Sequence, residues 1–127
     1  MIKKLLLSIG IFFILSTQAQ KVKTKAESFV DPKTGKELRK DAFEAYDEKG
    51  NVTELIEYDK NGNQSRHLKY QYDSNGHKTW IAELSPDGTV IKKTEYKYDK
   101  NGNKTERIEY DKGGKMKSKK IFTYTYY

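Results

Sequence analysis

Two histidines, ten tyrosines and one tryptophan are the most chemically versatile side chains in this 127-residue chain, and there is no cysteine. Thiol catalysis, Cys-ligated zinc and disulfide staples are thereby excluded. Hydrolysis would need a base beside a nucleophile, or two carboxylates opposed across a cleft. No serine sits on a Gly-x-Ser-x-Gly elbow. Glu54 and Glu106 hold equivalent places in the repeat described below and are the one pair suited to acid–base work. Each is expected to find a cation instead, Glu106 facing Lys120 and Glu54 lying diagonal to Arg66, so no catalytic residue and no cofactor is assigned. Asp59-x-Asn61-x-Asn63 and Asp99-x-Asn101-x-Asn103 open like a calcium loop, which requires Gly at its sixth position and Glu at its twelfth. Gln64 and Tyr70, and Lys104 and Tyr110, stand there instead. These segments read as turns, and no metal site is expected.

Binding chemistry remains. The net charge is +7, and Arg107, Lys115, Lys117 and Lys119 form a basic patch near the end of the chain, which equally serves to guard a last strand from stray pairing. Aromatic strands with interspersed lysines can stack bases, but the leader argues against a nucleic-acid partner. Lys3 and Lys4 precede an apolar stretch from Leu5 to Leu15, and Thr17-Gln18-Ala19 offers a small-residue cleavage site. Residues 1–19 thus read as a signal peptide for a periplasmic or secreted protein, too short in their apolar part for a span of roughly twenty residues. In that location an anionic envelope polymer is the better match for a basic surface. Tyr70, Trp80 and Tyr96 are the rings assigned to ligand binding, since sugar faces stack on aromatic rings. For Trp80, simple packing against Tyr70 is the competing role.

The elements that must carry these residues come from a repeat. From Gly50 onward, glycines 50, 62, 76, 88, 102 and 114 are separated by 12 and 14 residues in alternation, a period of 26. Residues 46–62 and 98–114 agree at 12 of 17 positions. A period of this size signals stacked supersecondary units. Each boundary has an aromatic residue or Leu, then Asp or Ser, two residues, then Gly, as in Tyr58-Asp59-Lys60-Asn61-Gly62. Asp accepts hydrogen bonds from the backbone that follows it, and Gly takes a left-handed conformation, which together make a three-residue hairpin loop. Val30-Asp31-Pro32-Lys33-Thr34-Gly35 is a worn half-copy with one extra residue, so 20–45 form an N-terminal segment and 46–127 the repeat domain.

The segments between turns are rich in Tyr, Ile, Thr and Val and predict strands at about 36–46, 51–58, 63–72, 77–84, 89–98, 103–110 and 115–126. A further one at 21–30 has no assigned partner, and no helix is expected. Pairing Asp59 with Asn63 sets even residues against even residues. Nine of the ten tyrosines are even-numbered, as is Trp80, so alternation along each strand predicts that these rings share one face. The same register sets Tyr70 opposite Trp80, Leu84 opposite Val90 and Tyr110 opposite Met116, with His67 and His77 on the solvated side. The predicted fold is all-β: an antiparallel meander of about seven short strands from three 26-residue units, curled into an open half-barrel or shell.

The recurring Tyr-Asp-x-x-Gly, with the Tyr-x-Tyr-Asp approach of Tyr70-Gln71-Tyr72-Asp73 and Tyr96-Lys97-Tyr98-Asp99, resembles the tyrosine-aspartate (YD) repeats of bacterial Rhs proteins and teneurins over roughly 46–126. The resemblance implies a spiralling β-sheet and a carbohydrate-binding or cell-surface role. With about three units and no toxin domain after Tyr127, the encapsulating role of the large members does not carry over. The expected function is therefore an exported, non-catalytic module for an envelope glycan or surface protein, with edge-strand self-association or partner recruitment as the alternative.

Overall fold

The computed structural model describes residues 20–127; the signal peptide assigned to 1–19 lies outside the described residues. These form eight strands: β1 (Thr24–Val30), β2 (Glu37–Tyr46), β3 (Val52–Tyr58), β4 (Gln64–Tyr72), β5 (Lys78–Leu84), β6 (Val90–Tyr98), β7 (Lys104–Tyr110) and β8 (Met116–Ile121). They make a single antiparallel meander in chain order, open between β1 and β8, and no helix occurs among the described residues. The open all-β sheet matches the sequence expectation. The strand count is one higher because 24–30 pairs with β2. The last strand is shorter than expected, although the Phe122 N–H still donates to the Thr105 carbonyl at 3.0 Å.

The turns are built as the sequence implies. Asp59 N–H donates to the Asn63 carbonyl (2.8 Å), and Gly62 N–H to the Asp59 carbonyl (3.0 Å). Asp59 Oδ1 accepts from the Asn61 and Asn63 amides at 2.9 and 3.0 Å. Asp47, Asp73, Asp99 and Asp111 repeat this pattern. In the worn half-copy Gly35 N–H reaches Asp31 one residue further along, which accommodates the extra residue.

The shared-face expectation fails, and the reason is local. Tyr58 pairs with Gln64 as the turn dictates, but the next pair is Glu57 with Arg66, which leaves Ser65 as an unpaired bulge residue. Thr53, Thr79, Ile91, Thr105 and Lys117 are skipped in the same way in the other hairpins of the repeat domain. One inserted residue moves every later side chain to the opposite surface. Even-numbered residues therefore face one side in β4 and β6 and the other in β3, β5 and β7. Leu84–Val90 and Tyr110–Met116, the pairs beside the turns, form as expected. Tyr70 lies opposite Ile81, not Trp80, and Trp80 sits between Gln71 and Glu95.

Two faces result. The front carries Leu55, Leu68, Tyr70, Ile81, Thr94 and Tyr96; the back carries Phe43, Ile56, Trp80, Ala82, Ile108 and Tyr110. With one layer, burial comes only from neighbours in the sheet. Among the described residues Leu68, Ala82, Thr94 and Ile108 alone are buried, and they form two pairs related by the 26-residue period. Ala82, fully enclosed, is flanked by Lys69 and Lys93, whose aliphatic stems cover it while their ammonium groups stay wet. Each cross-strand pair contributes roughly 0.2–1 kcal/mol, and no second layer adds to that.

The turns at one end also touch. The His77 ring stacks on Tyr98 with centroids 4.7 Å apart, and a Cβ on Gly102 (φ +83°) would lie 3.0 Å from His77 Nε2, whereas one on Gly62 (φ +81°) meets nothing. Gly62→Ala should cost about 1–2 kcal/mol for its left-handed backbone. Gly102→Ala should lower the urea midpoint further, and His77→Ala in that background should close the gap. Equal losses for the two alanine variants would show that the turns do not press on one another.

Turn carboxylates also set the acid response. Asp47 and Asp73 are held below the usual carboxylate range, chiefly by the backbone amides of Asn51 and His77. The Ser85 hydroxyl brings Asp87 down to about 2. Groups with depressed folded values stabilise above their unfolded pKa and lose that contribution as pH falls. The urea midpoint should be flat from about pH 7 to 5 and drop below about pH 4. Asp47→Asn with Asp73→Asn should lower the pH 7 midpoint and flatten the acid limb.

Candidate binding face

Tyr70 and Tyr96 end up on the same surface, one repeat apart in β4 and β6. Two inter-strand steps and a two-residue offset along the strand separate them, since Tyr70 is level with Thr94, which puts them roughly 11.5 Å apart on the diagonal. Leu68, Ile81 and Thr94 floor a shallow trough of about 340 Å³ between them, with Arg66, Lys78, Lys92 and Arg107 along its sides and Glu83 as its one acidic wall residue. Burial pushes the Tyr70 phenol up. Lys78 Nζ stands 4.6 Å from the Tyr70 ring centroid, and Lys104 Nζ 4.6 Å from that of Tyr96.

The cations of this surface differ in how they are balanced. Arg66 pairs with Glu57 (3.9 Å), while Lys92 and Arg107 share Glu109 (3.5 and 2.6 Å). Among the described residues neither Lys78 nor Lys104 has a carboxylate within 4 Å; their positive ends rest on tyrosine rings, held by the ring quadrupole alone.

A second tyrosine column, which sequence reasoning assigned no task, fixes those lysines. Tyr72, Tyr98 and Tyr124 donate their hydroxyls to the carbonyls of Val52 (2.7 Å), Lys78 (2.6 Å) and Lys104 (2.7 Å). Tyr98 therefore holds the backbone of the lysine that covers Tyr70, and Tyr124 that of the lysine that covers Tyr96. Burial raises the Tyr72 and Tyr98 phenols, which keeps both as donors. The Tyr-x-Tyr spacing carried this signal: one ring lines the trough, and the next, on the same face two residues on, locks the strand start.

Trp80 lies on the back, apart from the trough. Lys93 Nζ sits 5.7 Å from its ring and 5.5 Å from that of Tyr110, and is already paired with Glu95 at 2.8 Å. The Glu95 carboxyl is held low by Lys93 and accepts from the Tyr110 hydroxyl at 3.2 Å. Of the basic patch, Arg107 faces front, Lys119 faces back within 3.4 Å of Glu106, and Lys115 and Lys117 are exposed at the last turn and bulge. The patch is thus divided between the two faces and an edge.

The expected partners of the two glutamates also change with the register. Glu106 lies opposite Ile121 and pairs with Lys97 (3.2 Å) and Lys119, while Glu54 contacts His67 at 2.6 Å. His67 is therefore hydrogen-bonded to Glu54 and not free on a solvated face, with a side chain only 13% exposed. Glu54 and Glu106 sit on β3 and β7, four strand steps or roughly 19 Å apart, against the roughly 5–9.5 Å over which two carboxylates act on one bond. No protein-family model and no curated protein matches the chain.

Proposed function

We propose that this is an exported, non-catalytic module of YD-repeat type whose front face binds a glycan of the cell envelope. The observation that carries the reading is the juxtaposition of Tyr70 and Tyr96 across one trough, each ring fixed by the sheet and edged by cations. Rings on a hydrogen-bonded sheet offer apolar contact at little entropic cost, and the surrounding cations select for negative charge. The leader's form places the mature chain in the periplasm or outside the cell. Trp80 leaves the binding set and becomes a packing residue of the back face.

A glycan array followed by calorimetry tests this. Tyr70→Ala with Tyr96→Ala should weaken the best glycan about tenfold or more, about 1.4 kcal/mol, while Trp80→Ala should lower the urea midpoint and leave affinity within about threefold. An array without binders, or a loss confined to Trp80→Ala, removes the reading.

A second reading rests on the outer strands, because every residue of β1 and β8 is exposed. Such edges accept an added strand. Lys21, Lys23 and Lys25 on one edge and Lys117, Lys119 and Lys120 on the other oppose pairing between copies, so an acidic partner strand is favoured over self-association. Light scattering that shows mass rising with concentration in the absence of glycan would reverse that preference.

A further inference from the structure

We infer that the front face is a ruled site for a linear polyanion lying across the strands, with an acidic group wanted at every second strand. The inference rests on the glycan reading above and narrows its ligand class. Two stations recur with the 26-residue period, Tyr70 under Lys78 and Tyr96 under Lys104; the ring one period on, Phe122, is approached instead by Lys120 of its own strand at 5.8 Å and makes a third, looser station. Successive stations are two strands apart and two residues further along, since Tyr70 lies across from Thr94 and Tyr96 across from Lys120, a diagonal step of roughly 11.5 Å that is comparable with the advance of one disaccharide unit in a linear polysaccharide.

The lysines decide the ligand's charge. With an ammonium over the ring face at 4.6 Å, a neutral sugar must expel that cation before it can stack. A carboxylate, sulfate or phosphate instead meets the ammonium where it already stands, and the sugar then contacts the ring edge and the trough floor. The back face provides the contrast. Lys93 covers Trp80 and Tyr110 just as Lys78 covers Tyr70, but Glu95 neutralises it. Lys78 and Lys104 have no acidic partner among the described residues; Lys40, 5.8 Å from the Tyr58 ring on the back, has none either, but it stands alone, because Leu84 occupies the place one period after Tyr58. Their backbones are pinned by Tyr98 and Tyr124, so the stations keep their spacing without a ligand.

The test is calorimetry with hyaluronan oligosaccharides, in which a uronate recurs at every second sugar, against neutral cello-oligosaccharides of equal length. Hyaluronan affinity should rise from tetra- to hexasaccharide, where three acidic groups reach three stations, and change little at the octasaccharide. It should fall as salt rises. Lys78→Gln with Lys104→Gln should weaken the hexasaccharide about tenfold or more, whereas Lys60→Gln with Lys100→Gln, the same charge removed from exposed turns, should change it less than about threefold. Gln keeps most of the stem, and an unchanged urea midpoint certifies that the variants fold. Equal binding of the neutral series, or equal losses for the two lysine pairs, overturns the inference while the glycan reading stands. Failure of both sugar series here and of the array above removes both.

Discussion

The single residue skipped after each turn governs which side chains of this molecule can meet. A uniform antiparallel meander would give every strand the same phase, and the even-numbered rings would crowd one wall. With Thr53, Ser65, Thr79, Ile91, Thr105 and Lys117 each set out of register, the phase reverses at every hairpin, so neighbouring strands contribute opposite parities to each surface. That reversal divides the aromatic residues, placing Tyr70 and Tyr96 on the front and Trp80 and Tyr110 on the back. It also lets one layer be amphipathic on both sides, with a narrow apolar stripe on each flanked by lysine, arginine and glutamate. A bulge sharpens local twist as well, so the same device that sorts the faces keeps eight strands from lying flat.

A sheet without a second layer must shield its apolar atoms with its own long side chains. Leu68 lies between Leu55 and Glu83, Ala82 between Lys69 and Lys93, and Ile108 between Glu95 and Lys119. Ala82 and Ile108 are flanked on both sides, and Leu68 on one, by stems whose charged ends can stay in water. Charge composition is therefore structural here: 34% of residues are Asp, Glu, Lys or Arg, and many of them do the covering that a packed helix or second sheet does elsewhere. It follows that cations in excess of carboxylates are what such a fold has to spare for a ligand.

Turn positions, strand limits and the absence of helix were legible because Asp and Gly act locally. A carboxylate that accepts two backbone amides, and a residue free to adopt positive φ, fix a hairpin without help from the rest of the fold. The phase was not legible by counting in twos, because a bulge leaves composition almost untouched. Its trace lies in residues the parity count passed over. Leu55 and Ile81 are odd-numbered aliphatics beside Ile56 and Trp80, which a one-sided sheet would not place there, and Thr recurs at 53, 79 and 105. Tyr70 and Tyr96 were correctly grouped because they occupy the same repeat position in strands of the same phase. Trp80 was misgrouped because it belongs to a strand of the other phase.

That difference bears on what the lone tryptophan means. A single large ring is the natural first guess for a stacking platform, yet Trp80 already has Lys93 over its face, with Glu95 compensating that lysine and accepting from the Tyr110 hydroxyl. A site that waits for a ligand should instead contain groups held in place yet incompletely satisfied. Lys78 and Lys104 meet that description: each is anchored through its carbonyl by a tyrosine hydroxyl, and each directs its charge at a ring for want of a carboxylate. The ring face is a weaker partner for an ammonium than a carboxylate is, and an incoming anion supplies what the sheet leaves out. Repetition of this arrangement at fixed spacing turns a local imbalance into a surface that can recognise a polymer, since each added ligand unit meets the same unsatisfied group.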